Sequence, residues 1–331
     1  MTRIITDGAE MGDVLFWVNP DGYCNADSGT KRSGNYSYRI SSDGHYFLTG
    51  DLSAFYFRFA VRLSNTNCVL FSFRHSTTTL ADIYLNYSAG KISARVNGVT
   101  VGTSTSSFTT GQWYLIESYY NISDTGDFKM RFEGIEEITY AGDTKPGSDT
   151  HIDRITTGVN TNYNFYFDDI AVNDTNGEVD NSWCGDGRIV KLTPSGSGTE
   201  NLWLNSGSVS GSANYLYVDE YPNDGDTTYV YASASSTGFQ DQYALSNFLE
   251  SPRVDILRIW AETRAKVATT GSDVIKLGYL PSGGTEQLSG SIALTTNYAK
   301  CVGTSASANP ATSLPWTIDD INGLEYVIEV G

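Results

Sequence analysis

A period of two is what most restricts the fold of this chain. In "AFYFRFAVRL", residues 54–63, Phe55, Phe57, Phe59 and Val61 alternate with Tyr56, Arg58, Ala60 and Arg62. Neighbouring side chains of a strand point to opposite faces, so this run reads as a half-buried strand with one wet face. The same reading holds for "SYRISS" from Ser37, "CVLFSFRH" from Cys68, "DIYLNY" from Asp82 and "KISARVNG" from Lys91. It extends to "WYLIESYYNI" from Trp113, "DFKMRFEG" from Asp127 and "NFYFDDIAV" from Asn164. Turn residues separate these runs: "SDG" at 42–44, "SAGK" at 88–91, "DTGD" at 124–127 and "NDG" at 223–225. Short strands at this spacing predict an all-β sandwich or jelly roll. The 22 Tyr and 33 Gly agree, since aromatics fit pleated surfaces and glycine fits turns.

A chain of 331 residues exceeds one ordinary domain and predicts two, each long enough for its own core. The polar stretch "NDTNGEVDNSWCGDGR" at 173–188 marks a hinge, giving domains at 1–175 and 176–331. Strand-like runs then resume in "RIVKLTP", "NYLYVDEYP", "TTYVYASASS", "DVIKLGYL", "SIALTTNYAK" and "LEYVIEV". "SPRVDILRIWAETRAKVA" at 251–268 is the one serious helix candidate, and the strands on both sides favour a long strand instead. No repeat is visible.

The formal net charge is −17, and both halves are acidic: 13 Lys/Arg against 20 Asp/Glu in 1–175, and 8 against 18 in 176–331. That field opposes nucleic acid, and no window is apolar enough for a membrane span. "MTRIITDGAEMGDVLFWV" lacks the apolar centre of a secretory signal. Cys24, Cys68, Cys184 and Cys301 form no CxxC pair and read as buried thiols of a chain made in a reducing cytosol. The sequons at Asn35, Asn86, Asn121 and Asn173 are then chance products of a Ser/Thr-rich sequence.

Chemistry is sparse. Asp168 and Asp169 are adjacent in a strand, so they point to opposite faces and cannot flank one scissile bond. One is expected to satisfy backbone or tyrosine groups at the sheet rim, the other to be solvated. Glu133, Glu136 and Glu137 surround a turn, without the alternating acids of a glucanase strand. "DTNGEVD" at 174–180 resembles a calcium loop but lacks the terminal bidentate Glu. His45, His75 and His151 are isolated in the sequence, and "NDGDTTY" at 223–229 reads as hairpin chemistry. No residue is assigned to catalysis, to a cofactor or to a metal. Tyr36, Tyr38, Tyr56, Tyr84 and Tyr87 recur beside Ser, Thr and Asn, a charge-poor pattern suited to protein contact.

Three stretches carry a resemblance. "GTKRSGNYSYRIS" (29–41), "GQWYLIE" (111–117) and "FYFDDIAV" (165–172) are similar to the opening, central and closing strands of concanavalin A-like lectin/glucanase (LamG-type) sandwiches. In the second half, "DNSWCGDGRIVKLTPSGSGTENLW", "YLYVDEYPNDGDTTYV" and "NPATSLPWTIDDINGLEYVIEV" resemble a module of tailed-bacteriophage virion proteins. The resemblance implies a concanavalin A-like jelly roll followed by a second β-sandwich. It also implies a non-catalytic virion structural protein, first of all a capsid decoration protein. A tail-associated protein or a glycan-binding adhesin is the alternative, and a glycoside hydrolase is disfavoured because no matching acids exist. The expected partners are further copies of the chain, other virion proteins such as the major capsid or tail protein, and a host surface glycan on the adhesin reading. The expected location is the virion, after synthesis in the bacterial cytoplasm.

Overall fold

The computed structural model describes residues 3–18, 20–159, 163–176, 178–211, 213–220, 222–233, 235–249, 254–268 and 273–331. The chain is nearly all β and divides into two compact units, Met1–Lys191 and Leu192–Gly331.

The first unit contains β1 (Arg3–Asp7), β2 (Cys24–Asp27), β3 (Ser37–Ile40), β4 (Tyr46–Leu52), β5 (Ala54–Arg62), β6 (Cys68–His75) and β7 (Thr78–Asn86). After these come β8 (Lys91–Val96), β9 (Val99–Thr103), β10 (Trp113–Asn121), β11 (Gly126–Phe132), β12 (Ile135–Gly142), β13 (Ile152–Thr157) and β14 (Phe165–Asp174). An eight-stranded sheet runs β12-β11-β10-β5-β14-β3-β2, with β1 also on β14. A six-stranded sheet runs β4-β13-β6-β7-β8-β9. Their inner faces meet through aromatic rings. Phe57 of β5 lies edge-on to Phe71 of β6 at 5.0 Å, Phe55 to Phe73 at 5.0 Å, and Phe71 to Phe167 of β14 at 4.9 Å. Such pairs each add about 0.5–1.5 kcal/mol beyond the burial of their area. The alternation in 54–63 therefore aims its phenylalanines as the sequence predicts, and the sandwich is the fold.

The opposite face of β5 is not the wet face expected. Arg58 is buried, because residues 181–189 fold back over it as a strap. Arg58 Nη1 donates to the Gly185 carbonyl (3.1 Å) and Nε to the Asp169 carbonyl (2.9 Å). Glu117, opposite Arg58 on β10, accepts the Gly185 N–H at 2.7 Å. Asn173 Nδ2 donates to the Ser182 carbonyl at 2.8 Å. The Trp183 ring sits 4.0 Å from the Arg131 guanidinium and 5.3 Å from the Tyr56 ring. These bonds correct the expected boundary at 175/176. The segment read as a hinge belongs to the first unit, and the units divide at Lys191/Leu192.

In the second unit one sheet runs Pro194–Asn201, Gln240–Leu245, Glu325–Val330, Val274–Leu280 and Gln287–Leu288, with Ile292–Ala293 also on Val274–Leu280. A ribbon of Ile259–Ala265 and Ala299–Ala306 packs on it, burying Ala261 and Cys301 against Ile275, Leu277, Ile328 and Val330. Gly303 permits that approach, since a Cβ there would lie 2.4 Å from Leu277 Cβ. The helix candidate at 251–268 is a strand only over Ile259–Ala265, and residues 251–253 lie outside the described residues. "NDGDTTY" is a loop rather than a hairpin. Asp224 accepts the Thr228 N–H, and Asp226 is held by Lys266 and the Tyr298 hydroxyl, each at 2.7 Å. A short helix, Ile318–Asn322, starts from a capping box in which Thr317 and Asp320 bond each other's backbone N–H.

The strap yields a first prediction. Its hydrogen bonds are each worth about 1 kcal/mol net. A fragment ending at residue 175 is expected to lose roughly 2–5 kcal/mol against one ending at 191. Thermal melts of the two fragments check this, and equal midpoints would refute the strap's structural role.

Candidate functional site

The acidic pair in "FYFDDIAV" sits where β14 changes neighbours. Residues 165–167 pair with β3, and residues 170–173 pair with β1. Against β5 the register slips between Asp168, opposite Ala60, and Ala171, opposite Arg58. Three steps on β14 thus match two on β5, which is a β-bulge, and Asp169 adopts a positive φ of 52°. Asp is among the few residues that tolerate this left-handed conformation.

The bulge overturns the opposite-faces reading. Both carboxylates turn to the same segment, and both are fully buried. Asp168 Oδ2 accepts the N–H of Arg32 (2.9 Å) and of Ser33 (3.2 Å). Asp169 accepts the Ser33 hydroxyl (2.6 Å), the Ile189 N–H (2.8 Å) and an ion pair from Arg32 (2.7 Å). Arg32 also reaches Asp186 of the strap at 2.5 Å. Glu10, just beyond β1, grips the next residues by accepting the N–H groups of Asn35 and Tyr36. Gly34 between them has φ 57°, and a Cβ there would fall 2.2 Å from Glu10 Oε1. The expected solvated Asp therefore does not exist. The two stretches "KRSGNYS" and "FDDIAV" are two halves of one buried clamp. Burial, with the Asp169 charge beside it, pushes Asp168 up to about 8. Burial pushes Glu10 up to about 7.

The other acidic groups disperse. Glu133 Oε1 accepts the Leu115 N–H, Glu136 the Thr139 hydroxyl, and Glu137 the Ser106 N–H. In "DTNGEVD", Asp174 closes a turn by accepting the Asn176 N–H at 3.0 Å, and Gly177 lies outside the described residues. The five tyrosines are not one surface. Tyr38 is buried with its hydroxyl on Asp7 (2.6 Å), Tyr36 packs on the core, and Tyr56 stacks on Tyr119 at 4.6 Å. Tyr84 lies on the open sheet face and Tyr87 is exposed. The histidines are not all isolated either, because His75 and His151 have ring centres 4.4 Å apart. All four cysteines are buried free thiols.

A face the sequence did not single out is the outer side of the six-stranded sheet. One row crosses it through register partners: Tyr46 of β4, Thr156 of β13, Ser72 of β6, Asp82 of β7, Arg95 of β8 and Thr100 of β9. Arg95 Nε donates to Asp82 Oδ1 at 2.6 Å, and its guanidinium lies 4.2 Å from the Tyr84 ring centre. At the other end the Arg154 guanidinium lies 4.7 Å from the Tyr46 ring. Burial raises the Asp82 pKa, with Arg95 opposing the shift. Among the described residues the Thr156 hydroxyl and Arg74 Nε are buried without a hydrogen-bond partner. The signal was in the sequence as the polar residues alternating with Phe71, Phe73 and Ile83.

No protein-family model matches the chain, and no curated protein matches it. Among solved structures it is similar to an endo-β-1,4-glucuronan lyase from the fungus Trichoderma reesei, with 15% identity, 55% of this chain and 100% of that chain covered, and a TM-score of 0.41. It is also similar to the cellulose-induced protein Cip1, at 15% identity, 55% and 100% coverage, and a TM-score of 0.42. A carbohydrate esterase from the Shiga toxin-encoding bacteriophage phi24B matches at 14% identity, 52% and 98% coverage, and a TM-score of 0.41.

The clamp generates the second prediction. The native pKa values of Glu10 and Asp168 lie above the unfolded carboxylate value of about 4. The native state therefore binds more protons than the unfolded state between about pH 4 and 8, and stability falls as pH rises through that window. Asp168→Asn is expected to flatten this slope. Asp169→Ala leaves Arg32 without its buried partner and is expected to cost about 3–5 kcal/mol. Urea unfolding of the wild type and both variants at pH 5 and pH 8 tests both statements. A wild-type stability that rises across the window would overturn the assignment.

Proposed function

We propose that this chain is a non-catalytic component of a tailed-bacteriophage virion, whose first unit recognises a saccharide through the outer face of its six-stranded sheet. The observation that carries the saccharide reading is the row from Tyr46 to Thr100, with the Asp82–Arg95 pair at its centre. It sets a buried carboxylate and a partly exposed guanidinium beside a tyrosine ring, together with the hydroxyls of Ser72 and Thr100. A sugar presents vicinal hydroxyls that both give and accept hydrogen bonds, and its ring carbons offer an apolar face to an aromatic plane. A few convergent polar groups beside an aromatic surface are what such a ligand requires.

The virion reading rests on the motifs of the second half. The non-catalytic reading is supported by the fate of the acids. Asp168, Asp169 and Glu10 hold backbone, Glu117 holds the strap, and Glu133, Glu136 and Glu137 are spread over separate turns. A host-facing, tail-associated position suits a saccharide-binding face, while a capsid decoration protein remains the reading of the motifs alone. Self-association fits either position. The outer strands β12 and β9 carry the exposed Ile135 and Val99 on unpaired sheet edges.

The test uses affinity electrophoresis of the full chain on host capsular and lipopolysaccharide glycans, with assays for reducing ends and for unsaturated products. Retention is expected without turnover. Tyr84→Ala and Arg95→Ala are each expected to weaken retention at least tenfold, roughly the 1.4 kcal/mol of one lost contact. Saturable binding to particles lacking the protein checks the virion claim separately. Turnover on any of these glycans would overturn the non-catalytic reading, and retention indifferent to both substitutions would remove the proposed face.

A further inference from the structure

Outside the clamp and the polar row, one cluster of chemically competent side chains forms at an end of the six-stranded sheet. His75 closes β6, and His151 directly precedes β13. These strands are antiparallel neighbours with Arg74 opposite Arg154, so the end of one meets the start of the other. The two imidazole rings lie 4.4 Å apart between centres. Each has a carboxylate on one nitrogen. His75 Nδ1 is 2.7 Å from Asp149 Oδ1, and His151 Nε2 is 3.5 Å from Asp51 Oδ1.

A carboxylate on one ring nitrogen holds the proton there and leaves the other nitrogen as a lone-pair donor. Those donors are Nε2 of His75 and Nδ1 of His151, the latter with the Thr150 hydroxyl at 3.4 Å. The surroundings are acidic. Arg154 is matched by Asp153 through bonds of 2.8 and 3.1 Å, which leaves the charges of Asp149 and Asp51 to attract a cation. Both rings are about one-third exposed, so an ion can reach them.

We propose that His75 and His151 together bind one divalent transition-metal ion of the zinc or nickel type, with Asp149 and Asp51 orienting the rings and water completing the coordination. Two nitrogens each about 2.0–2.1 Å from one ion are at most about 4.2 Å apart, a span that ring centres 4.4 Å apart allow. Imidazole suits zinc, nickel and copper, whereas calcium and magnesium prefer oxygen ligands. Among the described residues no group of three or more His, Cys, Asp and Glu is placed to hold a metal, and the proposed site uses two protein ligands. It goes beyond the saccharide reading and stands or falls apart from it, because neither histidine belongs to the Tyr46–Thr100 row.

The experiment is calorimetric titration of the full chain with zinc chloride and with nickel chloride at pH 7.5. One ion per chain is expected. His75→Gln and His151→Gln are each expected to abolish saturable binding, and Asp149→Asn to weaken it about 10–100-fold. Binding should weaken at pH 5.5, where imidazoles take up protons, and should resist excess calcium or magnesium. Melts in EDTA confirm that each variant is folded. Should one fail to fold, nickel-induced broadening of the wild-type imidazole resonances, confined to His75 and His151, serves instead. The proposal is overturned by the absence of saturable binding, by binding that survives both histidine substitutions, or by a histidine pair that responds to pH and not to metal.

Discussion

The β-bulge at Asp168–Asp169 is the point on which the first unit depends. A regular strand would send these side chains to opposite sides and leave one of them in water. The extra residue, with Asp169 at φ 52°, turns both toward the gap where β14 loses β3 and gains β1. That gap holds unpaired backbone N–H groups at residues 32, 33 and 189, and the two carboxylates satisfy them. Buried polar groups must find partners, and here the acids serve as substitutes for the missing ladder. The same bonds hold the strap, so one local irregularity fixes the turn into β3 and the cover of the eight-stranded sheet.

In this arrangement the buried acids are committed to holding backbone. Catalysis requires a carboxylate free to exchange a proton with a substrate. Asp168 and Glu10 have the raised pKa values expected of catalytic acids, yet their oxygens are taken by backbone amides and Gly34 closes the approach to Glu10. Perturbed pKa values mark structural networks as well as active sites. The geometry of the partners decides between them, and in this clamp every partner is part of the fold.

Much of the fold was legible in the sequence because a period of two is a direct consequence of strand geometry. Phe55, Phe57 and Phe59 announced the inner face, and they line it. What alternation could not show was what covers the other face. Arg58 reads as solvated, and only the long-range return of residues 181–189 buries it. The bulge was equally hidden, since "FDDIAV" has an unbroken strand composition and its register slip is set by β5 across the sheet. The pairing of His75 with His151 depends on strand order, because residues 76 apart in the chain become neighbours only when β13 docks beside β6. The motifs 29–41 and 165–172 were recognised together by resemblance, and their contact in space gives that association a physical cause.

The two sheets of the first unit differ in what their outer faces can do. On the eight-stranded sheet, Arg58 and Glu117 bond the strap, and Trp183 rests on Arg131 and Tyr56. Any ligand there must first displace hydrogen bonds that the chain already makes to itself, at about 1 kcal/mol net for each. On the six-stranded sheet, Asp82 pairs with Arg95, whose guanidinium lies over the Tyr84 ring. That cost is our reason for proposing the six-stranded face as the one that meets a ligand. The eight-stranded face is thus closed in part by its own chain, and the proposed contact falls on the other sheet.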